Sequence, residues 1–202
     1  MSLKSYDYDR YAPDYDLVEL GGKGVTAEGN WFLHKLFRRH RVVSVLDLTC
    51  GTGAQAIGLA EHGYKVTASD ISEGMLKVAR RKARGLGIRF RHGDMTQPQP
   101  GKFDAVIAMF NSVGHITPAQ LDKTMRHVSK NLDSGGLFVF DAFNYDLLAA
   151  HGSFGHDFID IATDTGKTKV VRFNRNSLDK RRRVMRVRHR VYVQQVLKKP
   201  EI

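Results

Sequence analysis

One stretch of this sequence constrains the fold more than any other: VVSVLDLTCGTGAQAIGLAEHGYKVTASDIS, residues 42–72. Its apolar start predicts a buried strand that ends at Asp47, and a turn with two glycines follows. The next residues predict a helix closed by Gly63, and a second short strand ends at Asp70. This order of strand, glycine turn, helix, strand and acid is typical of parallel sheets that bind nucleotide-containing cofactors.

The same alternation of strands and helices continues along the chain. Strands are predicted at 42–48, 64–70, 88–94, 103–110 and 137–143, and helices at 53–62, 72–84 and 118–131. Ser72 and Thr117 stand where helix N-caps are expected, and Pro118 suits a first helical turn. Because the strands alternate with helices, we predict an α/β fold with a doubly wound, mostly parallel sheet.

The N-terminal residues predict a short arm followed by one packed helix. The arm, YDYDRYAPDYDLVEL, is rich in tyrosine and aspartate and predicts a short helical or irregular segment. In TAEGNWFLHKLFRRH, Thr26 is the expected N-cap of a helix. The apolar residues that we expect this helix to pack inward, at near-helical spacing, are Trp31, Leu33, Leu36 and Phe37.

After residue 143 the pattern changes to that of a β-hairpin. VVRFNR predicts one strand, NSLDK a turn, and RRRVMRVRHRVYVQQ a second strand with period-2 alternation. We therefore divide the chain into an N-terminal arm and helix (1–40), a core (41–145) and a β-rich basic segment (146–202). The hairpin adds a C-terminal β insertion to the predicted α/β fold.

Length and composition limit the number of domains and the classes of protein to which the chain can belong. Its 202 residues are enough for one domain with a core, and a second full domain is not expected. No apolar run approaches the ~18 residues that cross a membrane, and the first residues lack the apolar centre of a signal peptide. The single cysteine, Cys50, excludes an internal disulfide and a cysteine cluster for zinc. We expect a cytoplasmic soluble protein without a metal site.

The net charge of +11 is concentrated in the last part of the chain. Residues 165–202 contain 13 Lys and Arg against two acids, whereas residues 1–164 contain 19 of each sign. The arginines of the predicted hairpin share one face, which three hypotheses explain: a solvated edge or dimer surface, attraction of an acidic or phosphorylated small molecule, or RNA binding. Only Tyr192 is available to stack on bases, which disfavours a nucleic-acid partner.

The chemistry of the glycine turn distinguishes between cofactors. Gly51 and Gly53 allow a ligand to approach the backbone closely, and Asp70 can accept both hydroxyls of a ribose. A dinucleotide is disfavoured because the sixth position of G-x-G-x-x-G is Ala56 and because Asp47 would repel a pyrophosphate. The carboxylate of Asp47 would instead attract an ammonium group, or it only caps amides of the turn.

Four segments in order resemble class I S-adenosylmethionine-dependent methyltransferases over roughly residues 40–145. These segments are VLDLTCGTG with VTASDIS, RHGDM (91–95), GKFDAVIAMFNSVGHI (101–116) and LDSGGLFVFDAFN (132–144). MFNSVGHI in particular resembles small-molecule N-methyltransferases, with amino-sugar N-methyltransferases nearest and glycine N-methyltransferases more distant. In those families a tyrosine-bearing arm and a strand-rich insertion after the fifth strand, here 157–195, act as a lid over the acceptor.

The resemblance implies S-adenosyl-L-methionine as cofactor and a role for each matching residue. Gly51 and Gly53 would lie against its methionine portion, Asp47 would orient the turn and the ammonium, and Asp70 would bind the ribose. The remaining implied contacts are Ile71 and Met75 at the adenine ring, Asp94 and Met95 at the adenine amino group, Met109 and Asn111 at the sulfonium, and Tyr11 and Tyr15 closing over the cofactor.

Alternatives stay open for several of these residues. Met75 also suits the core side of its helix, and Tyr11 and Tyr15 also suit simple packing. His115, just past the fourth strand, is the predicted general base for an amine acceptor, or it orients the substrate or stabilises a loop. Asp104 begins a strand, so we assign it a structural role.

The acceptor is predicted by exclusion and by resemblance. After the fourth strand the chain has FNSVGH, without the proline-containing element of adenine or glutamine methyltransferases and without the cysteine nucleophile of cytosine C5 enzymes. An acidic metal cluster of the catechol type is likewise not evident. The resemblance therefore implies an enzyme that methylates a small-molecule amine by in-line displacement. The alternatives are an inactive cofactor-binding domain that serves a partner or RNA through the basic hairpin, and an O-methyltransferase acting on a small acid or hydroxyl.

The end of the sequence departs from the family pattern. The family sheet usually ends with two more strands after a further helix, whereas here the chain stops directly after the predicted hairpin. We expect a truncated chain, a hairpin that supplies substitute strands, or a partner that completes the domain. An uncovered sheet edge would favour a homodimer.

Overall fold

A computed structural model describes residues 8–19, 23–166 and 168–195. These residues form two compact units. The first contains residues 8–15 and Lys23–Ala142, and the second contains residues 16–19 and those from 143 onward.

The first unit is built on a parallel sheet of five strands. They are β1 Ser44–Asp47, β2 Lys65–Asp70, β3 Arg89–His92, β4 Phe103–Ala108 and β5 Leu132–Phe140. Their order in the sheet is β3-β2-β1-β4-β5, and Asp47 is paired with Ala68 on one side and with Ile107 on the other. The strand order reverses between β1 and β4, which is where open parallel sheets bind ligands. The predicted doubly wound fold is confirmed.

Helices of the first unit flank this sheet and precede it along the chain. They are α1 Tyr8–Tyr11, α3 Lys23–Arg39, α4 Ala54–Glu61, α5 Glu73–Lys82, a 3-10 turn Ser112–His115, and α6 Pro118–Asn131. Helix α2, Tyr15–Glu19, begins in the first unit, and its other residues belong to the second. No helix within the described ranges is both long and apolar enough to span a membrane. Two predicted caps are confirmed, because Ser72 Oγ accepts from Met75 N at 3.1 Å and Thr117 forms a capping box with Gln120.

Two predictions for α3 are wrong. The helix begins at Lys23, so Thr26 lies inside its first turns and is not its N-cap. Trp31 is 59% exposed rather than packed inward, and Lys35 Nζ lies 4.1 Å from the centroid of its ring. Leu33 and Phe37 are fully buried as predicted. The helix thus buries a narrower stripe than its apolar residues suggest.

Apolar side chains cover both faces of the five-stranded sheet. One buried cluster contains Val45 of β1 and Ile107 of β4. A second buried cluster contains Leu46 of β1 and Val106 of β4. Alternate residues of a strand point to opposite faces, so each face of the sheet has its own core. Asp104 joins the strands at one end, where its Oδ2 accepts from the backbone amides of Val43 and Ser44 at 2.9 and 2.7 Å, which confirms its structural role.

Besides residues 16–19 of α2, the described residues of the second unit form one short helix and an antiparallel sheet of three strands. They are α7 Tyr145–His151, β6 Asp157–Asp164, β7 Thr168–Asp179 and β8 Val184–Gln195, with sheet order β6-β7-β8. The predicted hairpin is present as β7 and β8, but the prediction omitted β6. It also placed the turn too early, because β7 continues to Asp179 and the turn occupies 180–183. Asn176 and Ser177, which favour turns locally, are instead held in the ladder by cross-strand pairing.

Candidate functional site

The glycine turn lies at the carboxyl end of β1, beside the point where the strand order reverses. Gly51 and Gly53 have φ of +52° and +88°, and Gly53 N donates to Cys50 O at 2.8 Å. A Cβ on Gly53 would approach the Cβ of Ala79 to 3.2 Å. Both the φ and the packing at Gly53 therefore favour glycine, and the local sequence defines the shape of the turn.

Asp70, at the end of β2, is bound directly to this turn. Its Oδ2 accepts from Gly51 N at 2.7 Å, and its Oδ1 accepts from Ser72 N at 2.9 Å. Burial raises the pKa of Asp70, and the backbone hydrogen bonds to Ser72 and Gly51 partly oppose that rise. Each carboxylate oxygen keeps a second acceptor position, so the arrangement suits a pair of ribose hydroxyls. The ribose role stays a prediction.

Asp47, just before the turn, is a buried carboxylate with one oxygen unpaired. It is 1% exposed, and its Oδ1 accepts from Thr49 N at 3.2 Å. Its Oδ2 is buried and has no hydrogen-bond partner among the described residues. Burial raises the pKa of Asp47 to about 7, because an unpaired charge is costly inside a protein. One oxygen therefore caps the turn as the alternative hypothesis states, and the other suits an ammonium group.

The residues predicted at the adenine occupy different environments. Ile71 is 61% exposed beside Asp70, whereas Met75 is 1% exposed and lies in the core, as its alternative interpretation states. Asp94 follows β3, and its Oδ1 accepts from Thr96 N at 2.7 Å. Met95 is partly buried against the cluster that contains Leu46. Ile71 and Asp94 are the better placed of these residues for a ligand, and the adenine roles of all four stay predictions.

The loop after β4 contains backbone strain and a carboxylate that the sequence reasoning missed. Met109 packs against the core, and the next two residues, Phe110 and Asn111, both have left-handed φ, of +58° and +54°. Asn111 N donates to Asp141 Oδ2 at 2.7 Å, and Asp141 Oδ1 is buried with no partner in the described part of the chain. Two such residues in a row are uncommon away from functional sites. The available signal was an acid at the end of the fifth predicted strand.

The tyrosines of the arm gather around the turn and His115. A Cβ on Gly51 would lie 3.9 Å from Cε1 of Tyr15, so this ring covers the glycine. The ring centroids of Tyr11 and Tyr15 are 6.1 Å apart. Tyr8, which the sequence reasoning did not single out, lies 6.3 Å from Tyr15 and 6.4 Å from His115. The structure therefore brings both predicted tyrosines and the predicted base to the same end of the sheet.

Asp9 anchors the arm to the first turn of α5. Its Oδ1 accepts from Ser72 Oγ and from Gly74 N, both at 2.7 Å. A Cβ on Gly74 would come within 2.7 Å of Asp9 Cα, so this close approach of two backbones requires glycine. The approach joins segments more than 60 residues apart and has no local signature in the sequence. Sequence reasoning therefore missed Asp9.

The described residues give little support to a cysteine nucleophile or a metal site. Cys50 is buried, and burial raises the pKa of its thiol, so it is a poor nucleophile. Over the described ranges, no three side chains of the metal-binding types lie close enough to hold an ion. What the site offers is an acidic, glycine-lined turn with aromatic rings beside it, which suits a ligand carrying an ammonium and a ribose.

Comparisons with known proteins support the same interpretation. Residues 45–136 match the family described as a methyltransferase domain, and the predicted cofactor, S-adenosyl-L-methionine, is confirmed. The chain is 33% identical to the glycine N-methyltransferase of Oryctolagus cuniculus over 150 residues, which are 63% of this chain and 50% of that protein. It is 36% identical over 132 residues to the dTDP-3-amino-3,6-dideoxy-alpha-D-glucopyranose N,N-dimethyltransferase of Streptomyces fradiae, with 63% and 51% covered.

Solved structures extend the likeness beyond the domain itself. The crystal structure of Streptomyces venezuelae DesVI has a TM-score of 0.74 and 25% identity, and it covers 92% of this chain and 82% of that one. The chain spans about half the length of the curated relatives it matches. The predicted resemblance to S-adenosylmethionine-dependent N-methyltransferases is confirmed.

Proposed function

We propose that this chain, whose residues 45–136 match the family described as a methyltransferase domain, transfers a methyl group from S-adenosyl-L-methionine to the amine nitrogen of a small molecule. The observation that carries the proposal is the pair of carboxylates at the glycine turn. Asp47 offers a buried oxygen without a partner, and Asp70 is tied to Gly51. An ammonium and a ribose in one cofactor match these two acids, whereas a dinucleotide has no ammonium to pair with Asp47.

The choice of an amine acceptor rests on the relatives and on the loop after β4. The two relatives are named as methyltransferases of glycine and of an amino sugar, and both act on nitrogen. In this chain His115 ends the 3-10 turn after β4 and is exposed, so an acceptor can reach its ring. An exposed imidazole there supports proton removal from an acceptor ammonium.

In this mechanism the chain mainly positions and shields the reactants. The cofactor supplies an electrophilic methyl on sulfur when bound. Asp47 would pair with the ammonium of the cofactor, Asp70 would accept from its ribose, and Asn111 would lie at the loop where the acceptor enters. His115 would take the proton from the acceptor ammonium, which leaves a neutral amine as the nucleophile for the methyl group. Tyr15 and its neighbours exclude water, and most of the rate comes from this positioning.

The cofactor is tested by calorimetric titration of the protein with S-adenosyl-L-methionine and, separately, with NAD. We expect the methyl donor to bind and NAD not to bind. Asp70→Ala should weaken binding by at least about tenfold because the ribose hydroxyls lose their acceptor. Asp133→Asn, which removes an exposed acid at β5, is the matched control and should bind normally. Binding of NAD alone would refute the cofactor assignment.

The acceptor is tested by mass spectrometry after incubation with the methyl donor and a panel of small amines, carboxylic acids and alcohols. We expect a gain of one or more methyl groups on amines only. Methylation of acids or hydroxyls would establish an O-methyltransferase instead. Donor binding without any methylated product would support the other alternative, an inactive cofactor-binding domain that serves a partner or RNA.

A further inference from the structure

The segment that follows β4, residues 109–115, has a strained backbone, and we call it the β4 loop. Phe110 and Asn111 both have left-handed φ, of +58° and +54°. Asparagine tolerates this conformation because its short polar side chain can bond locally, whereas a bulky aromatic residue adopts it rarely. Strain of this kind persists only where the surrounding structure holds it. The hydrogen bonds of the β4 loop are therefore what keeps it in place.

Two hydrogen bonds close the β4 loop on itself. Ser112 Oγ donates to Met109 O at 2.6 Å. Gly114 N donates to Asn111 O at 2.9 Å. The side chain of Asn111 lies against Gly114, where an added Cβ would come within 2.5 Å of Asn111 Nδ2. The loop is therefore compact, and the position of His115 at its end depends on where the loop as a whole is attached.

A third hydrogen bond attaches the β4 loop to the neighbouring strand. Asn111 N donates to Asp141 Oδ2 at 2.7 Å, between residues that are 30 apart in sequence. Ala108 and Phe140 form the last pair of β4 with β5, so Asp141 follows β5 directly beside the start of the loop. Because β5 belongs to the parallel sheet, this bond fixes the loop relative to the most rigid part of the first unit.

The other carboxylate oxygen of Asp141 takes no part in this attachment. Asp141 Oδ1 is buried and has no hydrogen-bond partner in the described part of the chain. An asparagine here would keep an oxygen for Asn111 N, and its amide nitrogen would replace an oxygen that makes no bond. Asp141→Asn therefore removes the charge and keeps the attachment, whereas Asp141→Ala removes both.

We propose that Asp141 is a positioning residue for methyl transfer, which acts through the amide of Asn111 and sets the position of His115. The role of His115 as a base rests on the proposed function, whereas the attachment of the β4 loop by Asp141 does not. A displacement of about 1 Å at a reacting group can cost about a hundredfold in rate. A bond that fixes this loop should therefore matter for turnover even where the fold survives without it.

The position of His115 can be measured without any acceptor. Its ring centroid lies 6.4 Å from that of Tyr8, so a nuclear Overhauser effect between protons of the two rings reports where the β4 loop lies. We expect this signal in the unaltered protein and in Asp141→Asn, and its loss in Asp141→Ala. Hydrogen exchange of the Asn111 amide should be at least about tenfold faster in Asp141→Ala, because the amide has lost its acceptor.

Asp104→Ala is the matched control for these measurements. The carboxylate of Asp104 also accepts from two backbone amides, those of Val43 and Ser44, but it lies at the other end of β4. We expect Asp104→Ala to lower the free energy of unfolding and to leave both signals of the β4 loop unchanged. The comparison separates general destabilisation from a loss of positioning.

Turnover provides a second readout. Methyl transfer from S-adenosyl-L-methionine to glycine, ethanolamine and glucosamine is followed as the formation of S-adenosylhomocysteine. With each amine that the unaltered protein methylates, we expect kcat to fall about a hundredfold in Asp141→Ala and to be retained in Asp141→Asn. The affinity for S-adenosylhomocysteine, measured by calorimetry, should be the same in all three proteins.

Three results would overturn the proposal. The first is absence of the signal between Tyr8 and His115 in the unaltered protein. The second is persistence of that signal in Asp141→Ala with unchanged exchange at Asn111, which would show that Asp141 does not hold the loop. The third is equal loss of turnover in Asp141→Asn and Asp141→Ala, which would show that the charge acts and not the bond. Failure of the proposed function gives a different result, because no amine is then methylated while the Overhauser and exchange measurements still decide whether Asp141 holds the loop.

Discussion

The parallel sheet of the first unit buries apolar side chains, whereas the middle strand of the antiparallel sheet buries Arg172 and Asn174. Each of these two polar residues is 7% exposed, and Val170 on the same face of β7 is fully buried. In the first unit, by contrast, the largest fully buried side chains include Phe37 and Ile107. The first sheet is therefore stabilised mainly by apolar burial, and the second depends on pairing its buried charge.

The polar core of the second unit is a connected network. Arg172 Nε donates to Asp160 Oδ2 at 2.8 Å, and the same guanidinium pairs with Glu19. Asn174 Nδ2 donates to the same oxygen of Asp160 at 2.8 Å, and Asn174 Oδ1 lies 2.6 Å from His189 Nδ1. Burial lowers the pKa of Arg172, but its bonds to Glu19 and Asp160 outweigh that effect and leave the pKa raised. Burial also lowers the pKa of His189.

The exposed arginines of the second unit are also partly paired. Arg175 Nε lies 2.7 Å from Asp157 Oδ1, and Arg190 pairs with the other oxygen of that acid. Arg183 lies 2.9 Å from Asp146 and over the ring of Tyr145. The basic segment therefore offers less free charge than its composition suggests, which agrees with the expectation that nucleic acid is disfavoured as a partner. That expectation stays a prediction.

Arg172→Met is the most direct test of the view that the second unit depends on charge pairing, whereas the first depends on apolar burial. The substitution leaves the carboxylates of Glu19 and Asp160 without their buried cation, and we expect the free energy of unfolding to fall by about 3–5 kcal/mol. Native-state hydrogen exchange of the β7 amides measures the loss. Arg188→Met, which alters an exposed arginine of β8, is the control and should have little effect.

A second measurement distinguishes lost pairing from lost packing at Arg172. If unpaired charge causes the destabilisation, adding Glu19→Gln and Asp160→Asn to Arg172→Met should recover a large part of it. A triple variant no more stable than the single one would contradict the view that charge pairing stabilises this core.

The apolar core of the first unit is tested by Ile107→Ala. The side chain is fully buried in β4, so we expect a loss of about 2–5 kcal/mol from lost burial and the cavity left behind. Because no charge is involved, this loss should not change with pH or salt, as chemical denaturation at several pH values would show. Ile159→Ala is the control, since that isoleucine is 60% exposed. If the stability lost in Ile107→Ala depended strongly on salt, the proposed contrast between an apolar core and a charge-paired core would not hold.

Sequence reasoning was accurate for the segments of the first unit that have a strong local pattern. Apolar runs located β1 and β4, and the two glycines located the turn that follows β1. Local pattern was misleading at Thr26 and Trp31 in α3. The burial of Arg172 was not predictable, because arginine is usually exposed and only the pairing of β7 with β6 and β8 supplies its partners. The contact of Asp9 with Gly74 was missed for the same reason. Such features arise from residues that are distant in sequence, and a single sequence carries no periodic signal for them.

Asp47 is a buried carboxylate among the mainly apolar residues of the first unit's core, and its ionisation can be tested by varying the pH. Its folded-state pKa of about 7 lies above the usual 3.8, so the ionised form is disfavoured without a ligand and folded stability falls as pH rises between these values. A cofactor ammonium would favour the ionised form. Donor affinity should therefore rise by up to about a hundredfold from pH 5 to 7, with a proton released on binding below pH 7.

Calorimetry in two buffers of different ionisation enthalpy measures this proton. Asp47→Asn should bind the donor weakly and lose most of the pH dependence; Asp70, whose pKa burial also raises, accounts for what remains. Wild-type affinity that is flat between pH 5 and 7 would argue against an ammonium at Asp47. The outcome sharpens the comparison between the two units, because a buried acid of the first unit would then bind a ligand, whereas the acids that pair with Arg172 stabilise the fold.

The smallest expected effect distinguishes two roles of Ser72, as the N-cap of α5 and as an anchor for the N-terminal arm. Ser72→Ala and Thr117→Ala each remove an N-cap, of α5 and α6, and each should cost about 1 kcal/mol. Only Ser72 also donates to Asp9, so only Ser72→Ala should loosen α1. Limited chymotrypsin digestion, which cuts after the tyrosines of the arm, should then be faster for Ser72→Ala than for Thr117→Ala at matched stability. Equal digestion rates would mean that the bond from Ser72 to Asp9 does not hold the arm, and that the amide of Gly74 alone anchors it.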